Sequence, residues 1–188
     1  MIKANNIINQ DDLFNLNRFI SAQENVYNSA LLELKNGNKR CSAVLGVSPM
    51  SDTEPIGSKL LRSAGAYAPF KKRSHWMWYI FPQFDGLGRS ATARHYGIKS
   101  IEEAQAYLNH PILGKRLLEC ANTILNVEEK SALEILGYPD DLKLKSSMTL
   151  FSCVASETVF VSVLNKYFSG EQDIKTLQLL KKIKNTSE

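Results

Sequence analysis

Between Ser74 and Ser90 the chain reads SHWMWYIFPQFDGLGRS, a run holding both of its tryptophans and one of its three histidines. The residue types suit ligand chemistry. Histidine is the side-chain type whose unperturbed pKa lies near neutrality, so His75 can act as a general acid or base. Trp76 and Trp78 can stack on a base or a sugar. Gln83 can aim an amide into a pocket. Gly86 and Gly88 free the backbone to turn, and Arg89 and Ser90 then open a short helix running to His95 or Tyr96. Exposed N–H groups at a helix start beside a guanidinium suit an anion. Each residue also has a plainer reading. Apolar residues crowd Trp76 and Trp78 on both sides, so the core explains them. His75 can be a buried ring bonded to backbone. Gly-x-Gly without a third glycine or a P-loop lysine can be an ordinary turn.

A second cluster, GYPDDLKLKSSMT, begins at Gly137. Asp140 and Asp141 stand where a helix starts, and negative charge is favoured there whatever the function. Lys143 and Lys145 follow within two turns and would supply cations to a phosphate. Asp141 would be the carboxylate that stabilises positive charge at a sugar if a glycosidic bond is cleaved. The chain carries no Ser-x-x-Lys here, no GxSxG, no HExxH and no nucleophilic Cys–His pair.

The elements that must position these residues read as helices. From Asp11 one long helix is predicted, ending at Gly37, with Leu13, Leu16, Phe19, Gln23, Val26, Tyr27, Ala30 and Leu34 near one face. Asp11 or Asp12 caps it. Ser100 and Glu103 have capping-box spacing, and Pro111 suits the first turn of the next helix. EEKSALEILG is a short helix closed by Gly137. Leu144, Met148, Phe151 and Val154 recur at helical spacing. SETVFVSVLNKYFSG has a Val-rich run that favours strand, but Ser156 and Gly170 frame it as helix. DIKTLQLLKKIK is amphipathic with a basic end. The segment 41–73, rich in Ser, Gly, Pro and Ala, reads as a long inserted loop, with at most a short helix near GSKLLRSAG. The expectation is an all-α, compact multihelical single domain spanning 1–188.

Composition bounds the function. At 188 residues, 44% hydrophobic and 22% charged, the chain can bury a core without metals or disulfides. A net charge of +4 permits an anionic small molecule but makes nucleic acid an unlikely partner. Cys41, Cys120 and Cys153 are far apart and lack zinc spacing, so neither a metal nor another cofactor is expected, and a reduced, cytoplasmic setting fits. The opening MIKANNIINQDD has no apolar stretch of signal-peptide type. No run approaches the roughly 18 apolar residues of a membrane span. Oligomeric state is not legible.

RFISAQ, ALLELKNGNKR, SHWMWYIFPQFDGLGRS, EEAQAYLNHPILGKRL and YPDDLKLKSSMTLF, in this order, closely resemble the bacterial DUF1810 family. The resemblance covers nearly the whole chain outside the termini and residues 41–73. It implies a compact multihelical cytosolic domain and no established activity. Some members carry the label "calpastatin", but the tandem charge-rich repeats of that inhibitor are missing here. Members usually pass directly from a GxKR turn into SHWMW, whereas Arg40 and Ser74 are here separated by Cys41 to Arg73. The expected function is binding or hydrolysis of a nucleotide-like or ADP-ribose-like, phosphate-bearing molecule, the latter by fold-level analogy alone. His75 and Asp141 would be catalytic, and Trp76, Trp78, Gln83, Arg89, Ser90, Lys143 and Lys145 would bind. The alternative is a non-catalytic interaction module using exposed aromatics from Tyr79 to Phe84.

Overall fold

The computed structural model describes residues 12–39, 75–155 and 158–184. The chain divides into two units, Met1–Lys39 with Trp76–Glu188, and Arg40–His75. Of the second unit only His75 is described, and the predicted inserted loop lies outside the described residues. The first unit is all-α among the described residues, with a single isolated bridge between Phe84 and Ile98. Its helices are α1 (Asn17–Gln23), α2 (Tyr27–Lys35), α3 (Met77–Ile80), α4 (Ala91–His95), α5 (Ile101–Asn109), α6 (Leu113–Leu125), α7 (Ala132–Leu136), α8 (Asp140–Val154), α9 (Thr158–Phe168) and α10 (Ile174–Lys184). No helix among the described residues is long and apolar enough to cross a membrane.

The long first helix is instead two. α1 begins only at Asn17, with Leu16 rather than Asp12 as its N-cap, and Asp12 accepts from the Leu16 and Asn17 N–H groups at 2.5 and 2.9 Å. The chain then turns at 24–26, and Leu13 is 85% exposed rather than on the buried face. The reason is tertiary. α1 packs on α3 and α2 packs on α6, and one straight stripe cannot face both. Gln23 ends α1 fully buried. Its amide donates to the Tyr79 carbonyl at 2.6 Å and the Tyr107 hydroxyl at 3.0 Å, and its oxygen accepts from Arg116 at 3.2 Å. Gln23 therefore serves the core as a satisfied polar group.

Local signals hold elsewhere. Ser131 and Glu134 close a full capping box on α7, and Gly137 ends it at φ +74. At α5 only half the expected box forms. Ser100 Oγ accepts from the Glu103 N–H at 3.1 Å, but the Glu103 carboxylate accepts from the Lys99 N–H and pairs with Arg18. His110 caps the start of α6 through Nδ1, which accepts from Ile112 and Leu113. The Val-rich run forms α9, with Phe160, Val163 and Leu164 buried. α8 is the hub. It packs on α9, α5, α7, α10 and α3, and Leu144 and Ser146 to Phe151 are buried along it.

Candidate functional site

α3 and the first turns of α8 meet around two indole rings. Trp76 is fully buried, and its Nε1–H donates to Glu33 Oε2 at 2.8 Å. Lys39, at the exit from α2, places its ammonium 4.7 Å from the centre of the Trp76 ring. Trp78 is half-buried, and the Lys143 ammonium lies 4.2 Å from its ring centre. Asp140 joins the pairs. Its Oδ2 accepts from Lys39 and its Oδ1 accepts from Lys143 at 2.6 Å. The lysine and aspartate side chains are only 6, 18 and 19% exposed, for Lys39, Lys143 and Asp140 in turn. Ion pairs so withdrawn from water are screened weakly and interact strongly.

The charges respond to this setting. Burial pushes the Asp140 carboxyl up, but hydrogen bonds from Lys143 and Lys39, with their charges, outweigh it and hold the group below its ordinary value. For Lys39 burial wins. It holds the ammonium below its usual range against the opposing hydrogen bond and charge of Asp140. Asp141, next to Asp140, is half-buried, and its Oδ1 is buried with no hydrogen-bond partner among the described residues. A carboxylate oxygen left in that state costs stability unless a donor reaches it.

The loop after α3 is drawn against Trp78. Hydrogen bonds from Ile98 N to the Gln83 carbonyl at 2.9 Å, and from Asp85 N to the Ile98 carbonyl at 2.8 Å, pin its base. Gly86 turns it at φ +93. A Cβ on Gly88 would stand 2.5 Å from Ala93 Cβ, so Ala93 is what requires glycine there, and at 3.3 Å from the Trp78 ring the same backbone lies against the indole edge.

The predicted residues separate into groups. Trp78 and Lys143 come together, with the Gly88–Arg89 turn at the indole edge, while Asp141, two residues before Lys143 on α8, stands on another side of the helix. Trp76 belongs to the core, with one face held by Lys39. Gln83 is buried and enters the loop base through its carbonyl. Arg89 is exposed, and its carbonyl accepts from Arg94 Nη1 at 2.5 Å. Ser90 is the N-cap of α4, its Oγ accepting from Ala93 N at 3.0 Å, so its hydroxyl and one helix-start donor satisfy each other. His75 is exposed at the residue before Trp76. Lys145 faces elsewhere. It pairs with Glu171 at 3.0 Å and lies 5.7 Å from the Phe168 ring centre, because two residues along a helix turn the side chain about 200° away.

Lys39, Glu33 and Asp140 are members of the site that sequence reasoning did not designate. Asp140 has the helix-start position expected, but as the first helical residue, where its carboxylate serves two lysines and caps nothing. The available signal for Lys39 was its place in the NKR turn immediately before the predicted inserted segment. The aromatic run proposed as an exposed interaction surface is not exposed. Tyr79, Ile80, Phe81, Pro82, Gln83 and Phe84 are all buried, because the density of apolar residues on both sides of the run leaves no solvent face. A cavity of about 230 Å³ opens among Ile101, Cys153, Val154, Leu177, Leu180 and Lys181, and touches none of the designated residues. The convergence of charge and aromatic faces, not this apolar hollow, marks the candidate site. Cys120 is no nucleophile, since burial pushes its thiol up to about 12. Among the described residues no cluster of three or more His, Cys, Asp or Glu could hold a metal.

No match is found among curated proteins. The crystal structure of the conserved hypothetical protein Rv1873 from Mycobacterium tuberculosis is similar, with 42% identity and a TM-score of 0.72 over 90% of this chain and 99% of that one. The family described as "Protein of unknown function (DUF1810)" matches residues 64–180. With well over half of the chain matched, and a relative of this identity along nearly its whole length, the chain belongs to the DUF1810 family.

Proposed function

We propose that this chain binds a small phosphate-bearing molecule of nucleotide or ADP-ribose type against Trp78. Lys143 and Arg89 take the anionic group. The observation that carries the reading is the Lys143 ammonium lying 4.2 Å over the half-buried Trp78 ring. That arrangement presents a cation and an aromatic face from one place, as a base or sugar joined to a phosphate requires. The glycine turn at the indole edge supports it.

A thermal-shift and calorimetric screen against nucleotides, ADP-ribose and sugar phosphates tests this. A ligand at 100 times its dissociation constant stabilises the fold by roughly 2.7 kcal/mol. Trp78→Ala and Lys143→Ala should each weaken a hit at least tenfold, and chromatography of the same samples reads turnover. Absence of stabilisation by every member of the screen overturns the proposal.

A further inference from the structure

We propose that Asp140 is an internal stand-in for the ligand's oxyanion. Its carboxylate occupies a clamp made by Lys39 and Lys143, and a phosphate or similar oxyanion takes its place on those two lysines when the ligand binds. The inference rests on the proposed location of the site and deepens it. It names the group recognised as a tetrahedral oxyanion, and it adds Lys39, which sequence analysis passed over, to the binding set.

The geometry is that of a two-point anion receptor. Lys39 donates to one carboxylate oxygen and Lys143 to the other. Two oxygens of a phosphate are spaced much as the two of a carboxylate, so donors set for one accept the other with little movement. Each ammonium is backed by an indole face, Lys39 by Trp76 and Lys143 by Trp78. An aromatic face attracts a cation but supplies no oxygen acceptor, so each ammonium still needs an anion in front. Removal from water sharpens that need. The side chains are mostly buried, and burial already opposes the charge on Lys39. One carboxylate shared by two ammonium groups leaves cationic charge in excess within the clamp. Glu33 moderates the charge on Lys39 but commits a carboxylate oxygen to the Trp76 N–H. A phosphate dianion matches two ammonium groups more closely than a carboxylate does.

Asp140 is also the removable member. It is the first residue of α8, its N–H donates to the Gly137 carbonyl at 2.9 Å, and its side chain caps nothing. Rotation about its side-chain bonds would therefore free the clamp without unwinding the helix. One helical turn beyond Lys143, and two beyond Asp140, Ser147 shares their face of α8. Ser147 is fully buried, and its hydroxyl has no partner among the described residues. A buried hydroxyl without a partner is rare in a finished core, and a polar group reaching it from the clamp would satisfy it.

The test is titration of full-length wild type, Asp140→Asn and Asp140→Ser with inorganic phosphate. Chloride holds the ionic strength constant, and intrinsic fluorescence and melting temperature are the readouts. Both tryptophans of the chain belong to the clamp, so their emission reports on it. The Asp140 variants should melt lower than wild type in chloride and recover in phosphate. Their phosphate midpoint should lie at least tenfold below that of wild type. Adding Lys143→Met to Asp140→Asn should abolish the response. A folded variant whose phosphate response is no stronger than that of wild type overturns the inference, because Asp140 is then a fixed pillar. Failure of both variants to fold even in phosphate overturns it as well. Nucleotide binding by wild type that is lost in Lys143→Ala would keep the proposed function standing in either case. No response to phosphate or nucleotide in any protein would remove both.

Discussion

At the residue scale, Asp140 has a measurable signature apart from any ligand. Lys143 and Lys39 hold its carboxyl below the ordinary 3.8 against the opposing effect of burial. A carboxyl depressed in the folded state adds stability above its unfolded value, and that stability is lost as pH falls through the folded value. The stability difference between wild type and Asp140→Asn should therefore be constant from about pH 5 to 7 and shrink below about pH 4. Glu33 and Asp141 lie nearby, but both proteins keep them, so their contributions largely cancel in the difference. Urea midpoints across a pH series provide the measurement. A difference that persists undiminished to pH 3 would show that the ion pairs do not set it.

At the scale of elements, the close approach of α5 and α6 is set by a residue whose role is invisible in the pattern. A Cβ on Gly114 would stand 1.7 Å from the Leu108 carbonyl oxygen, inside any contact that packing tolerates. The Gly114 N–H meanwhile donates to the His110 carbonyl at 2.9 Å. Sequence analysis places Gly114 inside a helix, where glycine is simply a poor helix former. Here its missing side chain brings two helices together. Gly114→Ala should raise local helix propensity and still destabilise the protein, by about 1–3 kcal/mol or more. For a chain of this size that is roughly 2–4 °C in Tm per kcal/mol. A melting temperature equal to or above that of wild type would show that the backbones separate without cost.

At the scale of the molecule, Trp76 ties distant parts of the first unit. Its ring is fully buried, its N–H reaches Glu33 on α2, and Lys39 covers its face while reaching Asp140 on α8. Truncating such a ring removes a large buried surface, takes the indole N–H from the Glu33 carboxylate and strips the aromatic face from Lys39, which keeps Asp140. Trp76→Ala should cost about 3–5 kcal/mol in chemical denaturation. Trp78→Ala, from a half-buried ring, should cost less and act on ligand affinity instead. Equal denaturation midpoints for the two variants would contradict this division between core and site.

The sequence by itself determined the helices, most of their ends and the family. Period, caps and helix-ending glycines act between residues a few positions apart: Gly137 closes α7 as predicted, and Ser90, Ser131 and His110 each serve as a local cap. It also carried Trp78 and Lys143 in two separate clusters with their partnership unstated, and left Lys39 and Glu33 undesignated. Tertiary structure decided the rest. It broke the first helix to bury Gln23, withdrew Tyr79 to Phe84 from the surface, turned Lys145 away, and set Asp140 between Lys39 and Lys143. The Lys39–Asp140 contact spans 101 residues of chain. Its existence depends on how α3 crosses α8 and where α2 ends beside them. Those angles are settled by how many side chains pack at once, so no local period or cap encodes them.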